Sequence, residues 1–336
     1  MQGLFSQPAA TTASATATTE FHDVYFDWTL RPYNYPPWFS AQYLTEGSTQ
    51  SFNVDVPDVA SGSQVVVTLW SVTDGAHALQ LVVNGQAAGQ RTWTGGNQLV
   101  KVKFALPAGA LVSGENIVQL VTPNFASGVS QTALVHSIAV KYAQTLAGSN
   151  VVSVATSGKP QVYEVSVAGA VWVVDARMPD RAALVPFDAQ NGKVRFLGQP
   201  GGTGSYLVVA VGSELAPLAV NAVTLKPVAA AQYLAVGPAQ FSANVQPLLD
   251  AHAAAGLKTA FADQEQLFDY YGFGRYGPAA IHAAVQAAKP QYLLLLGRTT
   301  YDYRNYSGAN VEPLCPTFSS ARVSGRRRRA THSLAT

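Results

Sequence analysis

Cysteine is almost absent: Cys315 stands alone among 336 residues. A single thiol excludes an intrachain disulfide and any zinc site built on paired cysteines. Charge is scarce as well. Asp, Glu, Lys and Arg make up 12% of the chain, about half the usual quarter. The formal net charge of +2 gives no reason to expect a nucleic-acid partner. No apolar run reaches the roughly 18 residues of a membrane span. The amino terminus, MQGLFSQPAATTASATATTEF, has neither the basic nor the apolar region of a signal peptide. Residues 1–20 read instead as a Thr/Ala-rich low-complexity linker, which suggests a chain whose beginning lies elsewhere.

What the sequence does contain is Gly, Ser, Thr, Ala and Val, a composition suited to β-sandwiches and secreted bacterial proteins. Short alternating runs at 51–56, 64–72, 78–83, 98–105, 116–122 and 133–142 are separated by turn signals, of which Asn84-Gly85 is the strongest. Residues 21–145 are therefore predicted to form an antiparallel, jelly-roll-like β-sandwich. Its leading aromatics offer two readings. Trp28, Tyr35 and Trp38 form a glycan-stacking platform, with a glycan or cell-surface contact as partner, or the cluster caps the open end of the sandwich.

Residues 146–226 read as a small second β-domain. Runs at 193–197 and 206–211 flank the Gly-rich stretch GQPGGTGS and predict a hairpin. A phosphate loop is excluded there, because a strand and not a helix follows the glycines.

From residue 227 the period changes. Runs at 233–236, 258–262 and 291–296 alternate with helical patterns, one carrying Phe241, Val245, Leu248, Leu249 and His252 and closed by Gly256, the other opened by Pro278. Strands alternating with helices predict βαβ units and a parallel sheet, with the last run buried on both faces. Residues 227–309 are thus a partial parallel α/β domain.

The order of parts carries a resemblance. A sandwich containing VVNGQAAGQ and LPAGALVSGENIVQL is followed by YEVSVAGAVWVVDARMPDRAALVP. Then come YLAVGPAQF, LFDYYGFGRYGPAAIHAAV and PQYLLLLGRTTYDYRNY. Over roughly residues 60–306 this resembles the gingipain-like cysteine peptidases, peptidase family C25. The resemblance implies a caspase-like catalytic sheet, a protein or peptide substrate, a secreted or cell-surface location, and a catalytic Cys and His on later strand ends that this chain does not reach. Family members carry Gly-Asp where this chain has Gly297-Arg298.

Within the chain itself the candidates are few. Cys315 is the only thiol, but prolines flank it and no helix follows to lower its pKa. His252 and His282 are candidate bases on helices, where histidine more often packs. Asp263, Glu265 and Asp269 follow a strand end and are candidate calcium ligands, the only cofactor suggested. Asp263 as a helix N-cap explains the same pattern. Residues 310–336, with Arg326 to Arg329 in a row, read as a disordered or non-native tail. Two functions follow: the amino-terminal part of a cysteine peptidase that lacks its own catalytic dyad, or a non-catalytic surface module.

Overall fold

The computed structural model describes residues 3–26, 37–124, 130–178, 181–216, 222, 224–298, 300, 302 and 304–309. Two compact units meet in sequence between Leu218 and Ala219.

The first unit corrects the reading of residues 1–20 as a linker. A 3-10 turn at Leu4–Ser6 leads into β1 (Thr12–Glu20). The alternation supplies β-branched Thr12, Thr16 and Thr18 on one face of the strand. Ala15 and Ala17 face one hydrophobic core and Ala13 another. Composition hides this strand because threonine and alanine offer little hydrophobic contrast.

Ten more strands follow: β2 (Val24–Tyr25), β3 (Trp38–Phe39), β4 (Tyr43–Thr45), β5 (Thr49–Val56), β6 (Val59–Ser71), β7 (Ala76–Val83), β8 (Gln86–Thr94), β9 (Gln98–Ala105), β10 (Gly114–Val121) and β11 (Thr132–Thr145). One sheet runs β1-β11-β6-β9, with β4 also on β11, and the other runs β5-β10-β7-β8. β1 pairs antiparallel with β11 along its whole length, from Thr12 opposite Thr145 to Glu20 opposite Ser137. The two sheets close an antiparallel sandwich on Val54, Val67, Leu69, Leu81, Phe104, Val118 and Val140. Asn84 and Gly85 both have positive φ, 48° and 80°, which fits a two-residue hairpin whose twist matches its strands. Val83 and Gln86 pair on either side of it.

The rest of this unit holds β12 (Val151–Val154), β13 (Gln161–Ser166), β14 (Val171–Asp175), β15 (Ala183–Leu184), β16 (Phe187–Gln190), β17 (Lys193–Gly198) and β18 (Tyr206–Ala210). They make two sheets, β12-β18-β14-β15 and β13-β17-β16. The expected β17–β18 hairpin does not form. β17 pairs with β13 and β16, whereas β18 pairs with β12 and β14, so the Gly-rich stretch crosses between sheets. Arg177 fixes that crossover. Its guanidinium donates to Asp175, to the carbonyls of Gln199 and Pro200, and lies over the Tyr206 ring. A Cβ on Gly204 would come within 2.1 Å of the Ala176 carbonyl oxygen, so the close approach demands glycine. Buried Glu164 binds Lys193 and Arg195. Arg195 also donates to the carbonyls of Leu4, Phe5 and Gln7 and covers the Phe5 ring, which anchors the amino-terminal segment here.

The second unit contains β19 (Tyr233–Gly237), α1 (Ser242–Ala254), β20 (Thr259–Asp263), α2 (Gln264–Gly272), α3 (Pro278–Ala288) and β21 (Tyr292–Leu295). The sheet is parallel, in the order β20-β19-β21. Val245 and Leu249 of α1 pack on Ala235, Phe261 and Leu294. Leu267 and Phe268 of α2, with Ile281 and Val285 of α3, pack on Leu234 and Val236. Consecutive residues of one strand serve opposite clusters, so α1 covers one face and the α2–α3 pair the other. β21 is half-buried, short of the expected burial on both faces, because among the described residues it pairs with β19 alone.

Candidate functional site

In open α/β sheets, ligands and reacting groups gather outside the carboxyl ends of the strands. Here those ends are Gly237, Asp263 and the residues just past Leu295. Gly237 and Leu296 are nearly in contact: a Cβ on Gly237 would lie 2.6 Å from the Leu296 Cβ. Glycine is therefore the residue that lets β19 and the segment leaving β21 run this close.

Asp263 closes β20 and opens α2. Its side chain accepts from the Glu265 backbone N–H at 3.4 Å, a long N-cap bond. Burial, followed by the charges of Asp263 and Asp269, pushes the Glu265 carboxyl above its ordinary range. Among the described residues, however, no three His, Cys, Asp or Glu side chains converge into a cluster fit to hold a metal. Gln264, the first residue of α2, is buried, and its Oε1 has no hydrogen-bond partner among the described residues.

Beyond β21 the chain carries a buried carboxylate to which the sequence assigns no role. Asp302 is buried. Its Oδ1 accepts from the Tyr306 N–H at 2.7 Å, and its Oδ2 from the Ser307 N–H at 2.8 Å and the Ser307 hydroxyl at 2.6 Å. Burial by itself would raise this carboxyl, but the Ser307 and Tyr306 donors outweigh it and hold Asp302 below the usual carboxylate range. Asn305 between them takes φ of 56°. Asp302 with Asn305-Tyr306-Ser307-Gly308 three residues later is the available signal for such a turn.

The two histidines are not brought together at the strand ends. His252 stacks on Tyr233, the first residue of β19, and so sits at the amino end of the sheet. His282 lies on α3, half-buried. Cys315 and the tail 310–336 lie outside the described residues, as do Trp28 and Tyr35. Trp38 is described and is only 6% exposed. Its ring meets Tyr25 edge-on at 5.5 Å, and its carbonyl accepts from His136 Nδ1 at 3.0 Å. Burial lowers the pKa of His136, consistent with a neutral ring in this contact. Trp38 is thus a packing residue, and its ring has no open face for a sugar.

Residues 226–332 match Peptidase family C25, the interval that contains the whole parallel sheet. The fold matches dimeric latent PorU from Porphyromonas gingivalis with a TM-score of 0.70 at 15% identity. That match covers 94% of this chain and 32% of the PorU chain, so this chain spans about a third of the other's length. At that identity the likeness is one of fold. It establishes the architecture: antiparallel β-sheets followed by a parallel sheet. A family 35 carbohydrate-binding module from an environmental isolate aligns at 19% identity over 38% of this chain and 87% of its own, with a TM-score of 0.27. The CBM36-1 domain of a multidomain xylanase from the hindgut metagenome of Trinervitermes trinervoides aligns at 12% identity over 38% of this chain and 95% of its own, with a TM-score of 0.24. Scores that low carry no argument. No curated protein matches the chain.

Proposed function

We propose that this chain comprises the β-modules and the first half of the catalytic α/β sheet of a secreted or cell-surface cysteine-type peptidase of the gingipain kind. In this reading it acts as scaffold: it positions the strand ends and supplies neither nucleophile nor base. The observation that carries the proposal is the β20-β19-β21 order, with helices on both faces, inside the interval that matches Peptidase family C25. A thiol peptidase needs a thiolate, a base within reach and oxyanion donors beside them. His252 is committed to an aromatic stack at the amino end of the sheet, opposite the carboxyl ends of the strands. His282 lies on a covering helix. Among the described residues Asp263, Glu265 and Asp269 form no cluster fit to hold a metal, so this reading gives calcium no site on them.

The test is hydrolysis of Arg- and Lys-containing peptides by the purified chain under reducing conditions, with and without calcium. The expected result is no turnover, and no change in folded-state behaviour when Cys315 is alkylated. Turnover abolished by Cys315→Ala would overturn the proposal, because the chain would then carry its own nucleophile. Turnover that survives Cys315→Ala assigns the activity to another protein in the preparation.

A further inference from the structure

Residues 3–21 touch both β-modules of the first unit. One end of the segment belongs to the sandwich. There β1 pairs with β11 along its whole length, Ala15 and Ala17 pack on the sandwich core, and the Phe21 ring meets Phe52 at 4.9 Å. The other end belongs to the second module. Ala10 forms a parallel bridge to Tyr163, donating its N–H to the Val162 carbonyl at 2.9 Å and accepting from the Glu164 N–H at 2.9 Å. Between the two ends, Ala13 is buried in the second core.

The two ends are held by different physics. β1 has a continuous backbone ladder, whereas no residue from Gly3 to Ala10 is buried. Apolar burial therefore contributes little to the outer end. One guanidinium holds it instead. Arg195 Nη1 donates to the carbonyls of Leu4, Phe5 and Gln7 at 3.2, 3.0 and 3.0 Å, and its Cζ lies 4.6 Å from the Phe5 ring centroid. Its Nε donates to Glu164 Oε2 at 2.7 Å, so a buried carboxylate aims the planar fork at the turn. Asp188 Oδ2 adds a bond from the Leu4 N–H at 2.5 Å.

The same segment runs beside the covalent link between the modules. That link leaves β11 at Thr145, which pairs with Thr12. The next residue, Leu146, donates its N–H to the Thr11 carbonyl at 2.9 Å. Two modules joined by one extended link are free to move against each other. A second strand bonded alongside opposes that motion, because turning the link breaks its bonds.

We propose that residues 3–21 are a strap that couples the second β-module to the sandwich, with Arg195 as its clasp. Closed, the strap doubles the crossing through Thr12 opposite Thr145 and Thr11 bonded to Leu146. Released at Arg195, it loses three carbonyl bonds together, and the pairing behind them frays from the outer end. β1 is an edge strand bonded to β11 alone, so this fraying leaves β6 and β9 paired. The clasp thus controls an element of low local stability without touching either core.

The experiment is amide hydrogen exchange of the full chain, resolved at single residues by nuclear magnetic resonance. The Glu164 and Leu146 amides donate to the strap carbonyls of Ala10 and Thr11, so they report its state from outside it. Val67, buried on β6, is the reference. Arg195→Lys keeps a cation beside Glu164 and loses the planar fork. Ala10→Pro removes the N–H bonded to Val162 and leaves Arg195 and Glu164 unchanged, so it remains informative if the arginine variant fails to fold. Each substitution should speed exchange at Glu164 and Leu146 by about 10-fold or more, with Val67 at the wild-type rate. Arg91→Lys, on β8 and away from the strap, should change none of the three. Leu146 exchanging at the wild-type rate in both strap variants overturns the proposal, because the clasp would then hold only its own turn. Val67 quickening as much as Leu146 also overturns it, since that marks a general loss of stability and not the release of a strap.

Discussion

Tyr233 and His252 stack with ring centroids 4.1 Å apart and planes 26° from parallel. The contact joins the start of β19 to the last turn of α1, so the histidine serves the packing of helix on sheet. His252→Ala should lower stability by roughly 0.5–1.5 kcal/mol beyond the area it uncovers, and His252→Phe should recover most of it. Urea unfolding of the full chain followed by far-ultraviolet circular dichroism measures both. If both variants unfold at the wild-type midpoint, the stack contributes nothing and a packing role is wrong.

The approach of Gly237 to Leu296 predicts a second effect. Gly237→Ala inserts a methyl group 2.6 Å from the Leu296 Cβ, and both neighbours are held by strand hydrogen bonding, including Leu296 N–H to the Val236 carbonyl. Overpacking of this kind costs about 1–3 kcal/mol. The loss should appear as faster amide exchange at the β19–β21 ladder, with β6 and β11 of the sandwich unaffected.

The parallel sheet was the most legible part of the sequence. Each of its elements has a sharp boundary signal: Gly237-Pro238, Gly256, Asp263 and Pro278 all sit where the chain changes state. The sandwich was legible where valine and leucine alternate, as in β9 and β10, and at Asn84-Gly85. β1 was missed because Thr-Ala alternation resembles low complexity, and its partner β11 lies more than a hundred residues away. The crossover after β17 was misread because a Gly-rich stretch between two strands predicts a local hairpin. Instead β17 and β18 pair with other strands, and Arg177, a side chain from outside the stretch, holds the crossover. Asp302 went unassigned for a similar reason: its role depends on burial, which no local spacing reveals.

Glu164 sets an acid dependence. Hydrogen bonds from Lys193 and then Arg195 hold its carboxyl below the ordinary range despite burial. The unfolded chain therefore takes up this proton at higher pH than the folded chain does. The stabilisation is complete above the unfolded value of about 4.3 and is lost as pH falls through the lower folded value. Glu164→Gln should cost roughly 1.5–3 kcal/mol at neutral pH. The gap between wild type and variant, read from denaturant midpoints, should narrow as the pH is taken below that window. A gap that is constant with pH would show that the carboxylate charge is irrelevant there.

Trp38 separates the two functions that its aromatic cluster suggests. A sugar platform presents its ring to solvent, so truncation would abolish binding and leave stability nearly unchanged. Trp38 is instead buried, edge-on to Tyr25, with its carbonyl tied to His136. The neighbouring Phe39 is fully buried and meets Phe26 and His136 edge-on. Removing a buried tryptophan takes away its transfer free energy and leaves a cavity that β2, β3 and β11 fill only in part. Trp38→Ala should therefore destabilise the chain by about 3–5 kcal/mol, while Trp38→Phe should lose less. Thermal unfolding of the full-length variants, run beside a glycan-array measurement on the wild type, decides the matter. Wild-type glycan binding that vanishes in a Trp38→Ala protein of unchanged stability would restore the platform. A large loss of stability instead assigns this side chain to the core.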